Sequence, residues 1–310
     1  MDENGRDPAE AVGGNPARPV RTAGEFTIDP VGPFSLRESA LFGFGQRSGV
    51  PFEGTMRMAF CLDGYREQVG VVLRQDRAGV HGQVQGEADV AAVRDQVARI
   101  LSLDHDGEAF VSVGQRDPVV ARLLSAAPGL RPPLFHSPYE AAAWSVLSAR
   151  RPAAQMMAVR RRLSEEHGTS FTLAGEALAA FPLPSQLLEV REFAGLPADK
   201  LDRLHGVAAA AQDGLLDADT LHALPVATAS AQLQSLAGIG PFYSALILIR
   251  ATGHTDILPT DEPMLLDLVA KLYGLAGPPS PDAFAEIAEP WRPFRTWVSV
   301  LIRAATRRLP

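Results

Sequence analysis

Lysine is almost missing from this chain, since among its 29 basic residues only Lys200 and Lys271 are lysines. Any chemistry that needs a side-chain amine as nucleophile therefore has just these two candidates. Cysteine is scarcer still, with Cys61 alone. One thiol excludes an intrachain disulfide framework and a four-cysteine zinc or iron–sulfur site, and it fits a reducing, cytoplasmic setting. No uninterrupted apolar run is long enough to cross a bilayer, which leaves no membrane partner in view. The opening MDENGRDPAEAVGGNP is acidic, rich in glycine and proline, and has no apolar centre. It does not read as a signal peptide, and residues 1–25 are expected to be a disordered tail. Net charge is −7 at pH 7. That average counts mildly against a nucleic-acid partner, but local clusters matter more than the mean.

What the chain does have is a large apolar content and clustered arginine. With 310 residues, 46% of them hydrophobic, it can bury a sizeable core spread over two or three domains. Segment 150–162, RRPAAQMMAVRRR, holds five arginines and no acid. The final stretch WRPFRTWVSVLIRAATRRLP holds Arg292, Arg295, Arg303, Arg307 and Arg308, again without an acid. Two solvated helix faces would explain both clusters; a phosphate-facing surface would explain them as well.

Alternation marks strands early in the chain. Met56, Met58, Phe60 and Leu62 alternate, Asp63-Gly64 turns, and Val69, Val71 and Leu73 alternate again before a turn into Val80–Val84. Helical periodicity begins near Ala88, with Val90, Val93, Val97 and Leu101 on one stripe. No further strand is expected after that point. Ser137-Pro138-Tyr139-Glu140 writes a helix start, with serine as cap, proline at the first position and glutamate closing a capping box. Further helices are expected at 152–167, 184–192, 197–212, 227–236, 242–252, 262–274, 281–289 and 291–308. The fold class is therefore mainly α. A small N-terminal α/β module built on an antiparallel sheet (26–120) is followed by an all-helical body (134–310).

The sharpest motif is LAGIGPFYSALILIRATGHTDILPTDEPMLLDLV, residues 236–269. A Gly-Ile-Gly turn between two helices can present consecutive backbone N–H groups outward. Glycine lets a phosphate oxygen approach that backbone, and the following helix N-terminus favours the negative charge. In this reading Gly238 and Gly240 supply the amides, Ile239 is the apolar peg between helices, and Pro241 starts the next helix. A tight turn made only for packing is the plainer explanation. Asp261 and Glu262 precede Pro263, where they could be helix caps.

The hairpin, the apolar helix after it, the Asp256–Glu262 segment and the Trp291–Arg295 core together resemble the helix-hairpin-helix DNA glycosylases. Within them the chain is similar to the DNA-3-methyladenine glycosylase II group. AAPGLRPPLFHSPYEAAAWSVLSA looks like that group's entry into its helical body, and the resemblance covers roughly residues 28–308. It implies two helical subdomains flanking a cleft and a damaged double-stranded DNA as partner. The implied activity is excision of alkylated purines (3-methyladenine or 7-methylguanine type) in base excision repair, by a monomer in the cytoplasm, nucleoid-associated. The catalytic carboxylate falls on Glu262 by an ungapped count from Asp256 and on Asp261 by residue type. Arg150 and Arg151 stand in the DNA-facing loop where relatives have a glutamine and an apolar wedge. Phe44, Trp144, Phe242 and Arg303 fall at or near the base pocket, with Trp144 equally readable as helix core. Leu246 and Arg303 replace an expected tyrosine and tryptophan. The position at which bifunctional relatives carry a lysine is Phe242, which implies a monofunctional enzyme without lyase activity. No cofactor is implied beyond a monovalent or divalent cation at the hairpin. A helix-hairpin-helix protein that binds damage without cutting is the alternative, and a scaffold with a merely structural turn is the third reading.

Overall fold

In the computed structural model, the described residues are 22–42 and 52–309. The N-terminal module contains β1 (Thr22–Ile28), α1 (Leu36–Phe42), β2 (Met56–Cys61), β3 (Gln68–Asp76), β4 (Gly79–Gln85) and α2 (Val90–Ile100). The sheet order is β1-β4-β3-β2 with antiparallel pairing throughout. β1 begins inside the segment assigned above to a disordered tail, because from Thr22 onward it pairs with β4. The alternating residues do what their spacing predicts. Met56, Met58, Phe60, Val69, Val71 and Leu73 pack with Val93 and Val97 of α2 and with its C-cap residue Leu101 in one buried cluster.

Next come α3 (Gly107–Val111), α4 (Val113–Arg116), α5 (Pro118–Ala126), α6 (Pro138–Ser148) and α7 (Ala153–His167). A hairpin of β5 (Ser170–Leu173) and β6 (Glu176–Ala179) then interrupts the helices. It overturns the expectation of no strand after residue 88. Its four-residue strands carry too little alternation to be legible, and an isolated two-stranded hairpin is marginal in water. It forms because Phe171, Leu173 and Ala180 cover Ala59 and Val72 on the second face of the large sheet. The contact is close, since a Cβ on Gly70 would lie 2.7 Å from the Phe171 ring.

The remaining helices are α8 (Pro184–Glu189), α9 (Ala198–Gln212), α10 (Ala218–Ala223), α11 (Val226–Gln234), α12 (Pro241–Ala251), α13 (Pro263–Tyr273), α14 (Pro281–Ile287) and α15 (Arg295–Ala305). They divide between two cores. The first gathers α6 to α12 around Tyr139, Leu147, Leu204, Leu233, Ile239 and Ile247. The second joins α3 and α5 to α13, α14 and α15 around Phe110, Leu123, Val269, Trp291, Trp297 and Leu301. Residues 107–120, read from sequence as the end of the α/β module, thus pack with the rest of α5 into the C-terminal helical core. Two of the three tryptophans, Trp291 and Trp297, are core residues of it. The architecture is an antiparallel-sheet module followed by an all-α body, apart from the small hairpin.

Glu140 departs from its expected part. Ser137 Oγ caps α6 by accepting the Glu140 amide. The Glu140 carboxylate does not return to the cap. It accepts the Cys61 amide at 3.2 Å, meets Arg160 of α7 at 2.6 Å and faces His136 Nδ1 at 3.2 Å. It is therefore one of the polar joints between the sheet module and the helical body, beside the Tyr65 hydroxyl on Leu216 O and the Gln68 amide on Phe181 O. Among the described residues no helix is long and apolar enough to cross a membrane.

Candidate nucleic-acid interface and carboxylate site

The α11–α12 turn is built as its residues dictate. Gly238 sits at φ +94°, in the left-handed region, and a Cβ there would lie 3.2 Å from Arg203 Cδ of α9. Ile239 is 4% exposed and pegs the turn into the first helical core, with its N–H donating to Leu236 O at 3.0 Å. Gly240 precedes the helix in extended conformation, and a Cβ there would meet nothing within 4 Å. No side chain caps α12, so the amides of Gly240, Phe242 and Tyr243 have no protein partner among the described residues. The turn thus offers unpaired donors at a helix N-terminus, open on the side where an anion would approach. A cation at this turn would have main-chain carbonyls as its ligands and the Arg203 guanidinium beside Gly238 to repel it. Among all described residues there is no group of three or more His, Cys, Asp or Glu that could hold a metal.

Arg150 and Arg151 follow α6 directly and are both exposed. Arg150 adopts φ +56°, unusual for a residue with a Cβ. Elsewhere in that cluster two of the other three arginines are structural, and Arg161 is exposed with only Glu165 at 3.7 Å beside it. Arg160 is bound to Glu140, while Arg162 donates to Ala194 O at 2.5 Å and lies over the Phe193 ring. The C-terminal cluster divides in the same way. Arg292 and Arg295 clamp Asp256, with Arg292 Nη1 to Oδ2 at 2.7 Å and Arg295 Nε to Oδ1 at 2.8 Å. Arg308 meets Glu38 at 2.5 Å. Most arginines of these two runs therefore serve the fold, and Arg150 and Arg151 remain as the exposed pair beside a turn.

The acids lie where the chain crosses between the two helical cores. Ile257 packs against the first core and Leu258 against the second. Ile257 is also held through Thr296 of α15, whose Oγ1 accepts its N–H at 2.8 Å and donates to its carbonyl at 2.8 Å. Asp256 is consumed by its arginine clamp. Glu262 occupies the N-cap position of α13, yet its side chain makes no cap hydrogen bond. It pairs instead with Arg303 of α15, and the same guanidinium lies 3.7 Å from Met264 Sδ. Asp261 is exposed.

The pocket residues are only partly brought together. Arg303 and Glu262 meet. Phe242 is 59% exposed and stands edge-on to Tyr243, with ring centroids 5.3 Å apart. Trp144 is half-buried against the first helical core, and Phe44 lies outside the described residues. Sequence reasoning missed Tyr243 and Met264, which flank these positions, and it missed that Lys200 is buried, its ammonium donating to three main-chain carbonyls. The signal for Lys200 was its rarity among so many arginines.

No protein-family model matches the chain. Over 218 residues it is 23% identical to the DNA-3-methyladenine glycosylase of Bacillus subtilis (strain 168), a match covering 66% of this chain and 71% of that protein. Over 213 residues it is 28% identical to a probable bifunctional transcriptional activator/DNA repair enzyme AlkA of Mycobacterium tuberculosis, covering 68% of this chain and only 42% of that relative. The solved 3-methyladenine DNA glycosylase of Archaeoglobus fulgidus superposes with a TM-score of 0.73 at 20% identity, over 91% of this chain and 98% of that one. The chain has the helix-hairpin-helix glycosylase fold. Its resemblance to the DNA-3-methyladenine glycosylase group extends from the short motifs to most of its length.

Proposed function

We propose that the chain is a monofunctional DNA glycosylase that excises alkylated purines from double-stranded DNA in base excision repair. The observation that carries this reading is the placement of Asp261 and Glu262. They end the segment that follows the hairpin helix and crosses from one helical core to the other, tied down by the Asp256 clamp and by Thr296. The names of its sequence relatives support the same activity.

The hairpin amides and the exposed Arg150 and Arg151 hold the phosphate backbone while the damaged nucleotide is extruded. As the N-glycosidic bond breaks, positive charge develops on the sugar, and a fixed carboxylate stabilises it. The water oxygen bonds to C1′ and its proton passes to the carboxylate. The bond's electron pair leaves with the base, which departs neutral because alkylation had made it cationic. Glu262 is the better-placed acid, being partly buried and oriented by Arg303, while exposed Asp261 faces solvent. Two features support hydrolysis over lyase chemistry. Phe242 stands where an amine would be needed, and the Lys200 ammonium is tied up by three carbonyls.

The Glu262–Arg303 pair also favours a second reading, a non-catalytic damage-binding protein, because the guanidinium partly neutralises that acid. One experiment separates the two. Incubation with methylated duplex DNA should release free purine and leave alkali-labile but uncleaved strands. Binding without release would select the second reading.

A further inference from the structure

Beneath the DNA-facing loop lies a buried charge that the mechanism above does not use. Lys200, on α9, is 7% exposed, and its ammonium donates to Val146 O at 2.7 Å, Leu147 O at 2.7 Å and Ala149 O at 3.0 Å. Val146 and Leu147 lie in the last turn of α6 and Ala149 is its C-cap residue, so no further helical turn satisfies their carbonyls. Arg150 and Arg151 follow immediately. We propose that Lys200 is a positioning residue that fixes the Arg150–Arg151 loop against the hairpin, an inference that rests on the DNA-binding reading of that loop.

Three features point beyond ordinary capping. The first is residue choice in a chain whose basic residues are otherwise arginine save for Lys271. Three carbonyls converging on one point suit the three donors of an ammonium and do not suit the planar fork of a guanidinium. The second is electrostatic. Burial, then the nearby Arg151 and Arg203, push the Lys200 ammonium below its ordinary pKa. A helix end needing only stability is commonly closed by a glycine or asparagine at no such cost. The third is shared architecture. Arg203, one turn along α9, lies against Gly238, and a Cβ on Gly238 would be 3.8 Å from Val146 Cγ2. One helix face thus touches both the hairpin and the end of α6. The left-handed backbone at Arg150 is the sort of conformation that persists only where surroundings fix it.

The test is a cycle of DNA affinities, read by fluorescence anisotropy across a salt series and paired with thermal unfolding. The variants are Lys200→Met, the double Arg150→Ala/Arg151→Ala, and the triple. Each phosphate no longer neutralised should lower the slope of log affinity against log salt by about 0.9. The double variant should flatten the slope by one to two such steps, and Lys200→Met should flatten it comparably. In the triple, Lys200→Met should add nothing to the loss of affinity while still lowering the melting temperature. Should Lys200→Met fail to fold, Lys200→Arg, which keeps the charge without the geometry, enters the same cycle. Unchanged affinity and slope in the lysine variant, or full additivity in the triple, would overturn the proposal. An unchanged slope in the arginine double would overturn it as well, by removing the loop from DNA. Absence of any binding by the parent protein would instead refute the DNA reading on which the inference stands.

Discussion

Replacing Glu140 by glutamine tests how the sheet module is joined to the helical body. The side chain is 1% exposed, and its two oxygens serve Cys61 N–H, Arg160 and His136. Glutamine keeps the shape and one acceptor oxygen but removes the charge that faces a guanidinium and an imidazole. Breaking a buried pair costs about 3–5 kcal/mol. Arg160 is 32% exposed and can turn toward water, so the lower end, about 3 kcal/mol, is the expected loss. For a chain of this size that corresponds to roughly a 5 °C fall in melting temperature. The pH dependence has a definite sign. Burial by itself raises the carboxyl pKa, but His136, Arg160 and the Cys61 amide overcome it and hold the group below its ordinary value. The stabilisation is therefore complete above the unfolded value of about 4.3 and is lost as pH falls through the lower folded value. Circular dichroism melts of both proteins from pH 7 down to pH 3 read this directly. The gap between them should be widest near neutrality and should close in acid. A gap under about 0.5 kcal/mol at pH 7, the ordinary range of surface changes, would refute the reasoning. So would a gap that ignores pH.

Other perturbations address the hairpin and the second core. Gly240→Val should weaken binding to every duplex alike, since phosphate contacts carry no sequence information; an intact fold with unchanged affinity would make the turn structural only. Asp117→Ala should cost about 1–3 kcal/mol in thermal stability. It removes the acceptor of Trp291 Nε1 at 2.9 Å and of the Tyr273 hydroxyl at 2.5 Å, together with the cap of α5. A melting curve identical to the parent's would show that these hydrogen bonds hold nothing together.

The helical body was legible where local chemistry fixes an element. Ser137-Pro138, Gly240-Pro241 and Glu262-Pro263 each mark a helix start within a residue, because proline at the first position needs no partner for its missing N–H. The alternating strands were legible because one face of the sheet is buried under helices α1 and α2. What escaped depends on contacts between distant segments. β5 and β6 exist through the sheet they cover, and Glu140 serves Cys61 across 79 positions rather than its own cap. The arginine runs mislead for a related reason. Composition cannot tell an arginine bound to Asp256 or Glu140 from one turned toward solvent, as Arg150 and Arg151 are. At the carboxylates the residue types were evident and their partners were not. Arg303 was expected near the base pocket, but its pairing with Glu262 joins residues 41 apart in sequence.

The central claim is that a carboxylate after the hairpin helix drives base release. Single-turnover excision from methylated duplex DNA by Glu262→Gln and Asp261→Asn, with binding measured in parallel, tests it most directly. Losing one preorganised electrostatic group costs about 100- to 1000-fold in rate. Glu262→Gln should show that loss while DNA affinity is kept or tightened, because a negative group facing the backbone is gone. Asp261→Asn, at an exposed position, should be much milder. Release of base at the parental rate by both variants would contradict the account.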